Sequence, residues 1–156
     1  MRRASLATLL FISSAASAQP VYLPDAAISP GALNPAVRQD NLSETVCAPG
    51  WTQSIRPSAR YVAQLKRADM RSLNLRGAAH DYHEDHRVPL CAGGHPSDPR
   101  NLWPQPLEAQ WRDADKNMLE QSVCRQLCRG DITLEEAQRI FLAPDWTQEY
   151  ERYFQR

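Results

Sequence analysis

The sequence has no Cys-x-x-Cys motif, no internal repeat and, beyond its N-terminus, no long apolar run. The missing Cys-x-x-Cys spacing argues against a zinc knuckle or a thioredoxin-like redox site, although the chain holds four cysteines. No histidine follows His95, so any histidine base or metal ligand has to come from the first 95 residues. At 156 residues and 42% hydrophobic content, the chain suits one domain with a modest core.

The first 18 residues, MRRASLATLLFISSAASA, have the layout of a secretory signal peptide: two arginines, an apolar run, and small residues before Gln19. The apolar run is too short to span a bilayer. The alternative, a buried N-terminal helix, fits the small residues at its end less well. We therefore expect an exported chain that starts near Gln19, is periplasmic or secreted, and has no membrane attachment after cleavage.

Charge is balanced, with 18 basic and 18 acidic residues. Removal of residues 1–18 would leave 16 basic residues against 18 acidic ones, a net charge of −2, so bulk charge does not point to a nucleic-acid partner. Residues 56–76 are the exception, with six basic residues and one acid. Within them, Arg60, Arg67 and Arg71 recur at helical spacing and are candidate phosphate contacts. A solvated helix face is the alternative.

Four cysteines in an exported chain predict two disulfide bonds. Cys124 and Cys128 are one turn apart on a predicted helix, where a bond between them would strain the disulfide geometry. Each is therefore expected to reach one of the other two, Cys47 and Cys91. The sequence leaves open which pairs with which.

Turn residues and periodicity divide the first half of the chain. Residues 19–45 contain four prolines and little periodicity, which is typical of an extended arm. Ser58 is placed to cap a helix that runs to about Met70. Residues 46–156 would then form the folded domain.

The second half predicts a hairpin followed by helices. Two short runs, residues 87–91 and 101–103, are the expected strands, with Pro104 ending the second. A helix is favoured over about residues 107–128, and another begins at Thr133.

The stretch HEDHRVPLCAGGHPSDPRNLWP, residues 83–104, concentrates the chemistry. It combines histidines, carboxylates, a Gly-Gly turn and an asparagine, a mixture typical of a functional site. Adjacent strand residues point to opposite faces, so Asp85 and His86 can share a site only if the chain bends there. For Glu84 we favour a solvated side chain, and for His80, His83 and His95 at most a supporting role in substrate binding.

A family resemblance rests on this stretch. Its residues Asp85-His86-x-x-Pro89, Gly93-Gly94 and Asn101-Leu102-Trp103-Pro104, followed by a helix, resemble the HNH (His-Me finger) nucleases. Together with Cys47-x-Pro49-Gly50-Trp51, NLWPQP, the run from Lys116 to Glu120 and Thr133-Leu134-x-Glu136-Ala137-Gln138, they are similar to small exported bacterial HNH-like proteins. The resemblance implies an α+β fold, a ββα-metal core with flanking helices, here stapled by disulfides.

The resemblance also implies roles. His86 would be the general base and Asp85 a ligand of a divalent metal ion, magnesium first, with manganese or zinc as alternatives. The second ligand, on the helix, would be Asn117, with Asp113 as the alternative, because the histidine that the family pattern allows there is missing. Asn101 would orient the histidine or bridge the loop.

The implied function is metal-dependent endonuclease cleavage of DNA, or of RNA, with little sequence specificity. Phosphates would be held by Arg87, Arg100 and the basic residues of the 56–76 segment. The alternative is a non-catalytic exported binding module on a degenerate HNH scaffold. A nuclease toxin would in addition require an immunity-type protein partner.

Overall fold

The computed structural model describes residues 22–154, so the predicted signal peptide, residues 1–18, lies outside the described part of the chain. Over these residues the protein is a mixed α+β domain with one two-stranded antiparallel sheet, which confirms the expected fold class. The ββα-metal core stays a prediction. In chain order the helices and strands are α1 (Trp51–Ser54), α2 (Ala59–Ser72), β1 (Tyr82–His86), β2 (Leu102–Pro106), α3 (Asp113–Arg129), α4 (Leu134–Leu142) and α5 (Trp146–Phe154).

The first strand lies earlier than the sequence predicts. The prediction of a strand at residues 87–91 was wrong, because β1 ends at His86 and Leu90–Ala92 form a 3-10 turn. β1 reads Tyr-His-Glu-Asp-His, which has no apolar alternation, because its side chains contact polar groups of the neighbouring helices. Strand pairing here follows tertiary contacts and not the hydrophobic pattern.

The second strand contains two prolines, although Pro104 was expected to end it. In the register, Pro104 lies opposite Glu84 and Pro106 opposite Tyr82. The inter-strand bonds on either side of the pair use odd-numbered residues, as in the bond from the Leu107 N–H to the Asp81 carbonyl at 2.9 Å. The even-numbered prolines therefore face away from the ladder, where a missing N–H costs no sheet bond.

Helix ends follow the predicted caps. Ser58 accepts a hydrogen bond from the backbone N–H of Tyr61 at 3.3 Å, and Thr133 with Glu136 forms a capping box at the start of α4. Helix α3 begins at Asp113 and not near residue 107. Helix α5 was not predicted.

The hydrophobic core lies among α3, α4, α5 and the turn after β1. It contains Val88 and Ala92 from that turn, Leu119, Val123 and Leu127 from α3, Leu134, Ala137 and Phe141 from α4, Trp146 from α5, and Val37 and Val46 from the N-terminal segment. These side chains are at most 7% exposed. The hairpin therefore rests on a packed helical base.

Residues 22–45 are part of the domain and not a separate arm, which corrects the expectation for this segment. Its backbone pairs with the turn after β1, through the Asn34 N–H to the Gly93 carbonyl at 2.8 Å and an isolated bridge between Leu33 and Gly94. The Ser29 hydroxyl donates to the carbonyl of Leu102 at 2.8 Å. The segment contains several turns and a 3-10 turn at Gln39–Asn41, and these contacts fix it to the hairpin.

Two disulfides, Cys47–Cys128 and Cys91–Cys124, confirm the expectation that both helical cysteines reach outside their helix. They tie α3 to the chain before α1 and to the turn after β1. Disulfides are typical of oxidising compartments, whereas export itself stays a prediction. Among residues 22–154, no helix has the length and apolar character needed to cross a bilayer.

Candidate functional site

Strand β1 presents its side chains to two environments. On one face, Asp85 accepts a hydrogen bond from Lys116 of α3 and His83 pairs with Asp113. Glu84 and His86 alternate with them and project from the opposite face. Four consecutive polar residues thus serve two separate groups of partners.

His86 is held by one hydrogen bond. Its Nε2 lies 2.9 Å from the carbonyl oxygen of Pro96, which can only accept, so Nε2 carries the hydrogen. In the neutral ring Nδ1 then keeps its lone pair, and among the described residues no hydrogen bond reaches Nδ1. The residue is 8% exposed, and burial lowers the pKa of its imidazole below the ordinary value. This tautomer is the one that a general base at Nδ1 requires.

Asn101 braces the loop that carries Pro96. Its Oδ1 accepts from the Val88 N–H at 2.9 Å, and its Nδ2 donates to the carbonyls of Val88 and His95, each at 3.0 Å. The side chain is fully buried, so Asn101 reaches His86 only through the loop. Of the two roles expected, this geometry is that of loop bridging; a catalytic role stays a prediction.

Gly94 permits this brace. A Cβ at Gly94 would lie 1.8 Å from the carbonyl oxygen of Val88 and 2.7 Å from Nδ2 of Asn101. No real side chain fits these distances, so only glycine lets the backbone approach the asparagine so closely.

A buried ion network fixes Asp85. The Lys116 ammonium donates to Asp85 Oδ2 at 2.6 Å, to the carbonyl of His86 at 2.7 Å, and to Glu120 one helical turn away. Lys116 is 2% exposed. Its contacts hold the end of β1 against α3 at the two residues that the sequence singled out.

The charges in this network shift one another's pKa. Burial alone would raise the pKa of Asp85, but the Lys116 ammonium brings it below the ordinary value. Burial would lower the pKa of Lys116, but Asp85 and Glu120 raise it above the usual range. Burial raises the pKa of Glu120 to about 7, against the opposing effect of the ammonium. Asp85 and Lys116 therefore each stabilise the charged form of the other.

A second group of polar side chains adjoins the first. His83 Nδ1 lies 2.7 Å from Asp113 Oδ1, and this hydrogen bond is the main cause that raises the pKa of His83. Ligand-type atoms of His83, Asp85 and Asp113 all lie within 4.8 Å of one another. Such a group has the donors of a divalent metal site.

Asn117, the predicted second metal ligand, takes a supporting position. Its Nδ2 donates to Asp113 Oδ2 at 2.9 Å, so it orients the carboxylate that was the alternative ligand. The structure thus brings Asp113 to Asp85 and leaves a ligand role of Asn117 as a prediction.

Glu84 is not the solvated side chain that we expected. It is 3% exposed, and its carboxyl group lies close to that of Asp69 on α2. Burial, and next the charge of Asp69 on α2, raise its pKa to about 9. At neutral pH Glu84 is therefore an uncharged acid on the same face of β1 as His86.

The phosphate contact predicted at Arg87 does not fit the structure. Arg87 is 4% exposed, and its guanidinium donates to the carbonyls of Ser29 at 2.7 Å, Leu142 at 3.1 Å and Ala143 at 3.3 Å. The last two carbonyls lie at the C-terminus of α4, where a cation is favoured. Arg87 is a buried cap and has no surface to offer a phosphate.

The other predicted phosphate contacts are exposed. Arg100 pairs with Asp98, at 2.6 Å from Nη2 to Oδ2. The α2 arginines, Arg60, Arg67 and Arg71, share one helix face. Contacts of Lys66 with the Tyr82 carbonyl, and of the Tyr61 hydroxyl with the Ser97 carbonyl, place the opposite face of α2 against the hairpin. The arginine stripe therefore points away from the hairpin that carries His86.

Comparison with protein-family models, curated proteins and solved structures found no match. The function of the site has therefore to be inferred from its own geometry.

Sequence reasoning missed Lys116 as part of the site. A signal was present: Lys116 shares its helix face with Leu119 and Val123, at spacings of three and seven, and precedes Glu120 by four residues. A lysine on the apolar face of a helix needs a buried acid. His83 was placed among supporting residues, although it alternates in phase with Asp85.

Proposed function

We propose that this protein is a metal-dependent endonuclease that hydrolyses phosphodiester bonds, with His86 as the general base. The observation that carries the proposal is the hydrogen bond from His86 Nε2 to the Pro96 carbonyl at 2.9 Å. It fixes the ring and leaves Nδ1 as the atom that accepts a proton from water. Hydrolysis of a phosphodiester requires such a fixed base beside a site of positive charge.

A group of metal-type ligands that includes the residue before His86 supports a metal-assisted reaction. It lies on the opposite face of β1, so the ion and the base have to meet at the end of the strand. Asp85 directly precedes His86 in β1. Its ligand-type atom lies within 4.8 Å of those of His83 and Asp113. A divalent cation held by these residues would supply charge neutralisation at the phosphate oxygens. Lys116 of α3 donates a hydrogen bond to Asp85 and so holds this carboxylate in place. Lys116 also donates to the His86 carbonyl, which fixes the backbone that carries the base.

The nucleic-acid part of the proposal rests on exposed cations. Arg100 and the α2 arginines, Arg60, Arg67 and Arg71, are exposed and would contact phosphates without reading bases. Because the stripe points away from His86, a bound strand would have to extend around α2 to reach it. DNA and RNA both offer the required phosphates.

One observation favours the alternative of a non-catalytic binding module. Asp85 and Lys116 form a buried ion pair, and His86 is itself buried, so both can serve the fold alone. In this alternative, β1 serves only to support the loop that carries Pro96 and the exposed arginines, Arg100 and those of α2.

The nuclease and the binding module differ in the cleavage activity that they predict for wild-type protein and for His86→Gln. Glutamine can donate to the Pro96 carbonyl as Nε2 does, but it offers no base. We expect plasmid and RNA cleavage in the presence of magnesium, manganese or zinc to fall by about 10²–10⁴-fold in this variant. The matched control is His80→Gln, since the His80 side chain is 87% exposed and lies against Asp81.

The outcomes separate cleanly. Cleavage that disappears in EDTA and in His86→Gln, but not in His80→Gln, supports the nuclease. Cleavage that survives in His86→Gln rejects this base, and folded wild-type protein that cleaves neither substrate with any ion favours the binding module.

A further inference from the structure

We propose that His83, Asp85 and Asp113 form a binding site for a first-row divalent ion of the zinc or manganese class, in preference to magnesium. The proposal names the ion and its ligands for the hydrolase function above, and in that respect it rests on that function. It replaces the expected pair of Asp85 and Asn117, and it reverses the expected order of ions.

The geometry comes from two elements. His83 and Asp85 are two positions apart on β1 and so share a face, while Asp113 is the first residue of α3. Their ligand atoms lie within 4.8 Å of one another. Lys116 takes Oδ2 of Asp85, and among residues 22–154 no hydrogen bond reaches Oδ1, which leaves one oxygen for an ion.

Acidic side chains outnumber cationic ones in this group. Asp85, Asp113 and Glu120 are opposed by Lys116 and His83. An imidazole binds a metal ion only in its neutral form, so a bound divalent ion would replace the positive charge that His83 can carry beside Asp113. Both Asp85 and Lys116 are buried, so charges here are poorly screened by water.

An independent observation on the same face concerns two buried polar side chains. Gln105 lies directly opposite His83 in the hairpin, and Trp103 lies opposite Asp85. Gln105 is fully buried, and neither its amide oxygen nor its amide nitrogen has a partner among the described residues; Trp103 Nε1 also has none. The buried Gln105 amide oxygen can accept a hydrogen bond from a water bound to an ion on this face.

The donor set decides the class of ion. Magnesium prefers oxygen ligands alone and keeps most of its waters, whereas an imidazole nitrogen suits zinc and other first-row ions. One imidazole with two carboxylates leaves coordination positions open, as in catalytic sites and not in closed structural ones. Asn117 then acts through Asp113, as a residue that positions a ligand.

The test measures binding without substrate. Purified oxidised protein is stripped with EDTA and titrated calorimetrically with zinc, manganese and magnesium. Cobalt, whose visible spectrum reports a nitrogen ligand, gives a second readout. The variants are His83→Gln and Asp113→Asn, with His80→Gln as the matched control and Asn117→Ala as the test of the other ligand set. His83 is 46% exposed, so these changes should leave the fold intact, which thermal unfolding checks.

We expect one zinc or manganese ion per chain, bound more tightly than magnesium. Loss of a direct ligand in His83→Gln or Asp113→Asn should weaken zinc binding by more than about 100-fold, Asn117→Ala by about tenfold, and His80→Gln not at all. The cobalt spectrum should change in His83→Gln.

Three results would overturn the inference: zinc binding unchanged in folded His83→Gln, magnesium bound as tightly as zinc, or binding lost only in Asn117→Ala. The proposed function can fail separately. An ion bound by His83 without any cleavage would refute the nuclease but not the site, whereas magnesium-dependent cleavage retained in His83→Gln would refute the site but not the nuclease.

Discussion

Replacing Lys116 by methionine should destabilise the protein more than any loss of a single hydrogen bond. Methionine keeps most of the length of the side chain but removes the ammonium. Asp85 and Glu120 would then face each other without a cation, in a region where Lys116 is 2% exposed. Removing one partner of a buried ion pair lowers the free energy of unfolding by about 3–5 kcal/mol, because the remaining partner is left charged and desolvated.

For a domain of this size, such a loss lowers the melting temperature by about 10–20 °C. The effect should depend on pH. Without Lys116, burial raises the pKa of both carboxyls above their unfolded values, so the folded state holds protons that the unfolded state releases. The penalty is therefore absent below about pH 4 and grows as pH rises.

The assay is urea unfolding of the oxidised protein, followed by tryptophan fluorescence in EDTA at about pH 7.5 and about pH 4. Lys66→Met is the matched control, because the Lys66 ammonium donates to the carbonyl of Tyr82 at 2.7 Å and forms no ion pair among the described residues, its charge acting on the Glu84 carboxyl only at longer range. It should cost about 1 kcal/mol. The double variant Lys116→Met with Asp85→Asn should recover most of the loss. If Lys116→Met costs no more than Lys66→Met, or costs the same at both pH values, the reasoning about buried charge is wrong.

Three further predictions concern single side chains. Folding raises the pKa of Glu84 to about 9. The folded protein is therefore most stable below the pKa that Glu84 has in the unfolded chain, and it loses free energy of unfolding as pH rises from there towards about 9. Glu84→Gln should thus stabilise the protein by about 3 kcal/mol at neutral pH, and a gain that does not vary with pH in urea unfolding would contradict this. Gly94→Ala should cost at least about 3 kcal/mol, measured by thermal unfolding, because its Cβ would meet the Val88 carbonyl at 1.8 Å; an unchanged melting temperature would refute the close approach. Arg87→Met should lower stability by about 2–4 kcal/mol and leave the salt dependence of DNA binding unchanged, whereas a weaker salt dependence would restore Arg87 as a phosphate contact.

Much of the helical structure could be predicted because it depends on near neighbours. Ser58 caps α2 through a residue three positions away, and the capping box of α4 involves Thr133 and Glu136. The cysteine argument was also local: the geometry of one helical turn excluded a bond between Cys124 and Cys128. The strands were harder, since a polar β1 and a proline-bearing β2 contradict the usual patterns.

The sequence predicted where in the chain the candidate site lies, but not which side chains contact one another there. The stretch at residues 83–104 holds the candidate site, and Asp85 and His86 are adjacent at the end of β1, on opposite faces of the strand. Its partners were only partly foreseen. Arg87 is adjacent to His86 in sequence, yet it turns to carbonyls more than 50 residues away, at Ser29 and Leu142.

Spacings of three or four residues were enough to predict the helix caps and to show that Cys124 and Cys128 bond elsewhere, whereas the α+β fold class was implied by the family resemblance. Which charges meet depends on the packing of elements that are distant in the chain. Lys116 reaches Asp85 across 31 positions, and His83 reaches Asp113 across 30. An isolated lysine or aspartate has no preference for burial, and each is buried here only because packing of α3 against the hairpin brings its counter-charge within hydrogen-bonding distance.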